Sequence, residues 1–334
     1  MQPTVSVVMP IYNEAAYIRE TAASLQKQDY PAELTEWVFV DGSSTDGTEA
    51  LLRQCVAGRE NVQILHNPAR EIPAAMNIGI RAARGTYIVR MDAHTSYDAD
   101  YISTGIAVIL ATGADVAGGP MAAEGKTPKQ QAIAAAMHSV FALGGHKDHS
   151  DAYEGDAPAV YYGIYKRQLA LDIGLYNETL LKSEDDDFFY RVRKAGGRIY
   201  LTPRIRMTYY PRQDFSALWK QYFAFGYWKT AFLQTHGEPV SVTQLVPGAF
   251  AAFLALGAVL SVWAPFRYVY GGVLALYLLL DLLFSLKSRK AKGISQKAML
   301  FWAHIVIHLA YGLGTWRRLL SPGPQKEKKS EKSS

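Results

Sequence analysis

The chain has 334 residues, 49% of them apolar and 19% charged, with a formal net charge of +5; this exceeds the usual size of one compact domain and leaves room for a second region in a different solvent. Its single cysteine, Cys55, excludes an intramolecular disulfide and agrees with a reducing compartment. Many of the cations gather beside apolar segments rather than on one soluble face, which points to anionic lipid as a partner and away from nucleic acid.

The first apolar run, 5–9, ends at Pro10 and is too short for a signal peptide, so the amino-terminal region is expected to stay in the cytosol. It reads as a strand running into Pro10-Ile11-Tyr12-Asn13-Glu14, followed by a helix over 15–28. Next come a strand at 37–40, the loop Asp41-Gly42-Ser43-Ser44-Thr45-Asp46-Gly47-Thr48, a helix over 49–56, a strand at 62–65, a helix over 72–83 and a strand at 86–91. Strand and helix alternating through short connections predict an α/β fold with a mostly parallel sheet covered on both faces. Ligands bind such sheets at the carboxyl ends of the strands. Three polar clusters fall there, at 12–14, 41–48 and 92–94. The second, with turn residues, hydroxyls and backbone N–H groups ahead of a helix, suits a base or ribose and equally an N-cap loop. Neither a G-x-G-x-x-G fingerprint nor a G-x-x-x-x-G-K-[ST] loop is present, so dinucleotide binding and P-loop phosphoryl transfer lose support.

The strand at 86–91 stops abruptly at Asp92-Ala93-His94. Residues two apart on an extended backbone project to one side, so Asp92 and His94 can reach one cation. Oxygen and imidazole together suit Mn²⁺ better than Mg²⁺. A polar strand end with a surface histidine has the same appearance. After a helix over 101–112, the segment 118–156 is rich in Gly, Ala, Lys and His, with a helix near 130–141; Gly144-Gly145-His146-Lys147-Asp148-His149 reads as a solvated loop because it lacks regular ligand spacing. The run Ser183-Glu184-Asp185-Asp186-Asp187 then opens a helical pattern over 188–195 that stops at Gly196-Gly197. A capping box of Ser183 with Asp186 and the helix dipole explain one or two of these acids. Four in a row repel one another, and one of them is a candidate general base.

After a short strand at 207–212, an aromatic helix over 215–235 carries Trp219, Tyr222, Phe223, Phe225, Tyr227 and Trp228, and is expected in the membrane interface. The segments 245–263 and 268–286 are long enough to span a bilayer, with a tight turn at 264–267 between them. The basic residues Lys287, Arg289, Lys290, Lys292 and Lys297 place the following loop on the cytoplasmic side. A third apolar segment, 298–316, either spans or is re-entrant or interfacial, since spanning puts the basic tail outside. His304, His308 and Tyr311 on one face of it serve either a lipid diphosphate or helix packing. The expected organisation is a catalytic domain at 1–212, an amphipathic helix and linker at 213–240, a membrane region at 241–320 and a disordered basic tail at 321–334.

With these pieces placed, the sequence resembles the inverting glycosyltransferase family 2. The likeness is carried by Val8-Met9-Pro10-Ile11-Tyr12-Asn13-Glu14, Val40-Asp41-Gly42-Ser43-Ser44-Thr45-Asp46-Gly47-Thr48, Met91-Asp92-Ala93-His94 and Glu184-Asp185, which together cover about residues 4–212. It implies the GT-A fold of nucleotide-diphospho-sugar transferases, a Rossmann-like mostly parallel sheet, here followed by transmembrane or interfacial helices. It implies a nucleotide-sugar donor, usually a UDP-sugar, with Pro10, Tyr12, Glu14, Asp41, Ser43 and Arg70 around the nucleotide. Asp92, Glu184, Arg212 and Trp228 complete the substrate-binding set, and Lys182 joins Arg212 as a candidate diphosphate contact. A divalent cation, Mn²⁺ or Mg²⁺, is held by Asp92 and the residue two beyond, which is His94 here and Asp in most of the family. Asp185 matches the catalytic base, and one base without a covalent intermediate implies inversion. Processive members carry Gln-x-x-Arg-Trp; only Gln221 and Trp228 suggest it here, at altered spacing and without the Arg, which argues against processive synthesis. The implied protein is multi-pass in the cytoplasmic membrane with its catalytic domain in the cytosol, and it acts on a polyprenyl-diphosphate-linked saccharide in exopolysaccharide or cell-surface glycan synthesis. Association with other polysaccharide-assembly membrane proteins fits that setting. Transfer to polyprenyl phosphate itself, or a non-catalytic scaffold that binds nucleotide sugar, are the alternatives.

Overall fold

The computed structural model describes residues 2–93, 95–144 and 153–321. Strands β1 (Val5–Ile11), β2 (Thr35–Asp41), β3 (Val62–His66) and β4 (Tyr87–Arg90) lie in the order β3-β2-β1-β4, all parallel. Covered on both faces, β2 is buried at every position and β1 at all but one, which is why both read as continuous apolar runs without alternation. Helices α1 (Ile18–Gln26), α2 (Thr48–Cys55) and α3 (Ile72–Ala82) make the crossovers. Helix α3 comes close enough to β1 that a Cβ on Gly79 would sit 2.4 Å from Val8 Cγ1. Helix α1 starts later than expected because Asn13, Glu14 and Ala15 are hydrogen-bonded to the loop after β2.

Beyond β4 the sheet turns mixed. After β5 (Thr95–Tyr97), α4 (Tyr101–Thr112), β6 (Val116–Gly119), β7 (Ala122–Ala123), α5 (Pro128–Met137), α6 (Val140–Leu143) and β8 (Gly155–Asp156), strand β9 (Tyr161–Lys166) inserts antiparallel between β4 and β6. After α7 (Arg167–Asp172) and α8 (Glu184–Lys194), β10 (Ile199–Leu201) joins the far side and pairs with β8, giving eight strands in the order β3-β2-β1-β4-β9-β6-β10-β8. A small second sheet sets β11 (Met207–Tyr209) between β5 and β7. The helix expected over 130–141 is two helices: a Thr127/Gln130 capping box starts α5 early, and extended Ser139 interrupts the run before α6.

The described residues close with four α-helices: α9 (Phe215–His236), α10 (Val246–Leu260), α11 (Ala264–Lys287) and α12 (Gly293–Leu319). The stretches Val242–Leu260, Ala264–Lys287 and Gly293–Leu319 are long and apolar enough to cross a membrane. The tight turn expected at 264–267 is instead the first turn of α11, where Pro265 costs no hydrogen bond, and the reversal falls at 261–263. The first two stretches expose their apolar surface, with 11% of each buried, whereas the third is 44% buried. Helix α12 packs along α9 through two glycine contacts: a Cβ on Gly226 would lie 2.0 Å from Tyr311 O, and one on Gly314 would lie 2.0 Å from Phe223 O. The aromatic rings of α9 are all buried or half-buried against protein. His304 Nδ1 pairs with Asp281 Oδ1 at 2.6 Å, and His308 bonds Tyr277 and the Phe141 carbonyl, so of the two readings of these histidines the structure shows helix packing. Asp281 is fully buried on α11, within a stretch long and apolar enough to cross a membrane.

Candidate active site

The loops after the first three strands are stitched together by side chains. Asp41, buried at the end of β2, accepts from Ser44 Oγ at 2.5 Å and Ser44 N at 3.0 Å. Asn13 donates its N–H to Ser44 Oγ and accepts from Thr45 N through Oδ1, while Glu14 N–H bonds Thr48 Oγ1. Asn67 N–H reaches Asp41 O at 2.7 Å and draws in the third loop. Asn13, Ser43 and Arg70 have φ of 55°, 61° and 61°; each left-handed residue costs on the order of 1 kcal/mol, and such strain clusters at ligand sites. Tyr12 is exposed, with the Arg70 guanidinium 5.8 Å from its ring centroid. Gly42 permits this, since a Cβ there would press on the Tyr12 ring at 3.2 Å. Pro10 sits half-buried just before this edge. A ring face, an exposed cation and a pinned carboxylate loop thus share one sheet edge, as a nucleotide requires.

At the end of β4, Asp92 is buried with its N–H on Tyr97 Oη at 2.7 Å, and the turn beyond is anchored where Thr21 Oγ1 donates to Ala93 O. Buried Arg90 donates from Nε to Asp92 Oδ1 and from Nη2 to Glu184 Oε1, both at 3.3 Å. His94 lies outside the described residues. Among the described residues no three His, Cys, Asp or Glu side chains gather as a metal cage. A carboxylate at a strand end, with other positions left to diphosphate oxygens and water, is the donor set that hard cations use at nucleotide sites, and Asp92 fits it.

The four acids that open α8 go to different places. Glu184 faces Arg90; burial, then the neighbouring Asp185, push its carboxyl up to about 8 against the pull of Arg90. Asp186 meets Lys229 of α9 at 3.0 Å. Asp187 binds Arg191 at 2.7 Å and His236 at 2.8 Å. Asp185 alone of the four makes no ion pair with a described residue, and it lines a small cleft with Arg90, Tyr161, Tyr162, Tyr176 and Phe189. The expected capping box is absent: Ser183 is the N-cap but its hydroxyl makes no capping bond, and the Asp186 carboxylate is turned to Lys229. Arg212 and Lys182 are exposed on the flanking connections, and Trp228 packs with Leu180, Ala231 and Phe232 away from the cleft lining. Sequence reasoning passed over Arg90 and Tyr162. An arginine inside a buried strand signals a buried partner, so Arg90 was findable; Tyr162, at φ 41° with its ring 5.7 Å from the Arg90 guanidinium, left no local signal.

Residues 6–168 match the family model described as Glycosyl transferase family 2. Over 317 residues, 94% of each chain, the sequence is 32% identical to the succinoglycan biosynthesis protein ExoA of Rhizobium meliloti (strain 1021). The chain belongs to glycosyl transferase family 2. This family 2 glycosyltransferase is also 26% identical, over 93% of its length and 96% of the relative's, to a dolichyl N-acetyl-alpha-D-glucosaminyl phosphate 3-beta-D-2,3-diacetamido-2,3-dideoxy-beta-D-glucuronosyltransferase of Methanococcus voltae. Among solved structures, the mannosyltransferase PcManGT of Pyrobaculum calidifontis, in complex with GDP-Man and Mn²⁺, superposes with a TM-score of 0.63 at 18% identity over 92% of this chain and 87% of that one. The fold of the family 2 glycosyltransferase is therefore GT-A.

Proposed function

We propose that this glycosyltransferase moves a sugar from a UDP-sugar to a polyprenyl-diphosphate-linked saccharide at the cytoplasmic membrane face, by one inverting displacement. One observation carries the proposal: Asp185 is the acid of the α8 run left without an ion pair among the described residues, and it faces the cleft beside the Arg90–Asp92 pair. Asp185 takes the proton from an acceptor hydroxyl as that oxygen attacks the anomeric carbon, and the bond to the nucleoside diphosphate breaks on the opposite face. Glu184, beside Asp185, is held by Arg90, which ties the helix that carries the base to the end of β4. Asp92, with His94, holds a divalent cation, Mn²⁺ or Mg²⁺, which when bound supplies positive charge to the departing diphosphate. Tyr12, Asp41, Ser43 and Arg70, with Pro10 and Glu14 behind them, take the nucleotide.

The Methanococcus relative, by its name, forms a β-linkage to a dolichyl-phosphate-linked sugar, which supports a lipid-linked saccharide as acceptor. The exposed apolar surfaces of α10 and α11 support a hairpin in the bilayer, and α12, packed against both of them and against α9 and α5, supports a third segment shielded by protein along much of its length.

The test is nucleoside diphosphate release by the purified full chain over UDP- and GDP-sugars, with Mn²⁺, Mg²⁺ or chelator, and with native lipid extract or polyprenyl phosphate alone. Release that needs one sugar, a metal and the lipid-linked saccharide, and that disappears in Asp185→Asn, is the expected result. Turnover on polyprenyl phosphate alone moves the assignment to synthesis of a lipid-linked donor, and undiminished activity in Asp185→Asn refutes the base.

A further inference from the structure

Four consecutive carboxylates in one helical turn repel one another, and most of their partners come from outside the helix. The sheet answers for the first through Arg90, 94 positions away in the chain. Helix α9 answers for the third, and shares the fourth with Arg191 of α8 itself. Lys229 Nζ lies 3.1 Å from Asp186 Oδ1 and 3.0 Å from Oδ2, and His236 Nε2 lies 2.8 Å from Asp187 Oδ1. Lys229 and His236 are seven positions apart, about two helical turns, so both project from one face of α9 onto the start of α8. Between the clamped neighbours sits Asp185, whose Oδ1 accepts the Asp186 N–H at 2.8 Å. The conformation of the Asp185 carboxylate is thus tied to the peptide of the very residue that Lys229 holds.

We infer that Lys229 is a positioning residue for Asp185: by gripping both oxygens of Asp186 it fixes the first turn of α8 in the register that aims the Asp185 carboxylate into the cleft. This rests on the reading of Asp185 as the base. Burial opposes the ammonium of Lys229, and Asp186, within 3.1 Å through both oxygens, more than offsets this. Helix α9 is in turn packed closely against α12. One helical turn before Lys229, Gly226 lies directly under the Tyr311 carbonyl, a contact that admits no side chain. The consequence is a mechanical chain from an apolar helix, α12, through α9 to the residue beside the base.

The experiment compares Lys229→Met, Lys229→Arg, the double variant Lys229→Met/Asp186→Leu and Asp185→Asn in the full chain with its lipid acceptor. It measures kcat, donor KM and melting temperature with the sugar nucleotide that the wild-type protein turns over. Misplacing a reacting group by about 1 Å costs on the order of 100-fold. Lys229→Met is therefore expected to lose about 10- to 100-fold in kcat with donor KM within about twofold, and Lys229→Arg to recover most of it. The double variant, which leaves no unpaired buried acid, is expected to regain melting temperature but not kcat. An inactive Asp185→Asn beside a Lys229→Met of full kcat overturns the inference alone, as does a double variant that recovers kcat together with stability. An active Asp185→Asn overturns the reading beneath it.

Discussion

Arg90 Nη2 lies 3.3 Å from Glu184 Oε1 and joins the end of β4 to the first turn of α8. Its Nε holds Asp92 at the same distance, so one guanidinium sets the spacing between the residue proposed to hold the cation and the helix that carries the proposed base. Arg90→Met strands two buried carboxylates. Breaking a buried pair by removing one partner costs about 3–5 kcal/mol. The variant should melt well below wild type and lose turnover, and Arg90→Lys, without the planar fork, should recover only part of either. Thermal unfolding beside an activity assay decides this.

The carboxyl of Glu184 is raised from its ordinary range to about 8 by burial and by Asp185. The sign follows from linkage: the folded state binds this proton more tightly than the unfolded state, so the stabilisation is complete below the unfolded pKa of about 4.5 and is lost as pH rises through about 8. Across that window the wild-type melting temperature should fall more than that of Glu184→Gln, which carries no proton to lose. Parallel melting curves for both forms that track each other over the whole window would show that Glu184 is not the titrating group.

Gly226→Ala sets two effects against each other. Alanine gains about 1 kcal/mol of helix propensity over glycine in a helix interior. Its Cβ, however, would stand 2.0 Å from the Tyr311 carbonyl oxygen, and backbone atoms on a packed helix cannot yield that distance cheaply. The clash should win, separating α12 from α9, with lower stability in detergent. A variant at least as stable as wild type, measured by thermal aggregation, would mean that the helices do not meet as described.

Asp281 and His304 are both fully buried between α11 and α12. Asp281→Ala leaves the imidazole without its acid and should destabilise the packing of these helices by about 3–5 kcal/mol. Asp281→Asn, which keeps an acceptor for His304 Nδ1, should cost less. Limited proteolysis of the α11–α12 connection compares the two, and equal cleavage of both with wild type rejects a structural role for the pair.

The parallel half of the sheet was legible in the sequence because its signals are local: apolar strands, turn residues and short spacings between 5 and 91 predict β1 to β4, and the polar clusters at their ends follow from the way parallel sheets present loops. The boundaries of α1 and α5 were missed by a few residues because side chains of other loops, or a capping box, set them. The apolar lengths of α10, α11 and α12 were likewise visible as composition.

The division of labour among the four acids was not legible. Residues 184–187 are chemically alike and adjacent, and their sequence offers no reason why Asp185 faces the cleft while its neighbours are paired. Those pairings reach across 94, 43 and 49 positions, to Arg90, Lys229 and His236. Nor did any periodicity announce that β9 would enter antiparallel beside β4 and bring Tyr162 to Arg90. Local backbone preference and hydrophobic pattern act over a few residues, so they prescribe elements and the edge where ligands gather. Which charge meets which is settled only when distant segments close on one another and burial makes an unpaired charge too costly to keep.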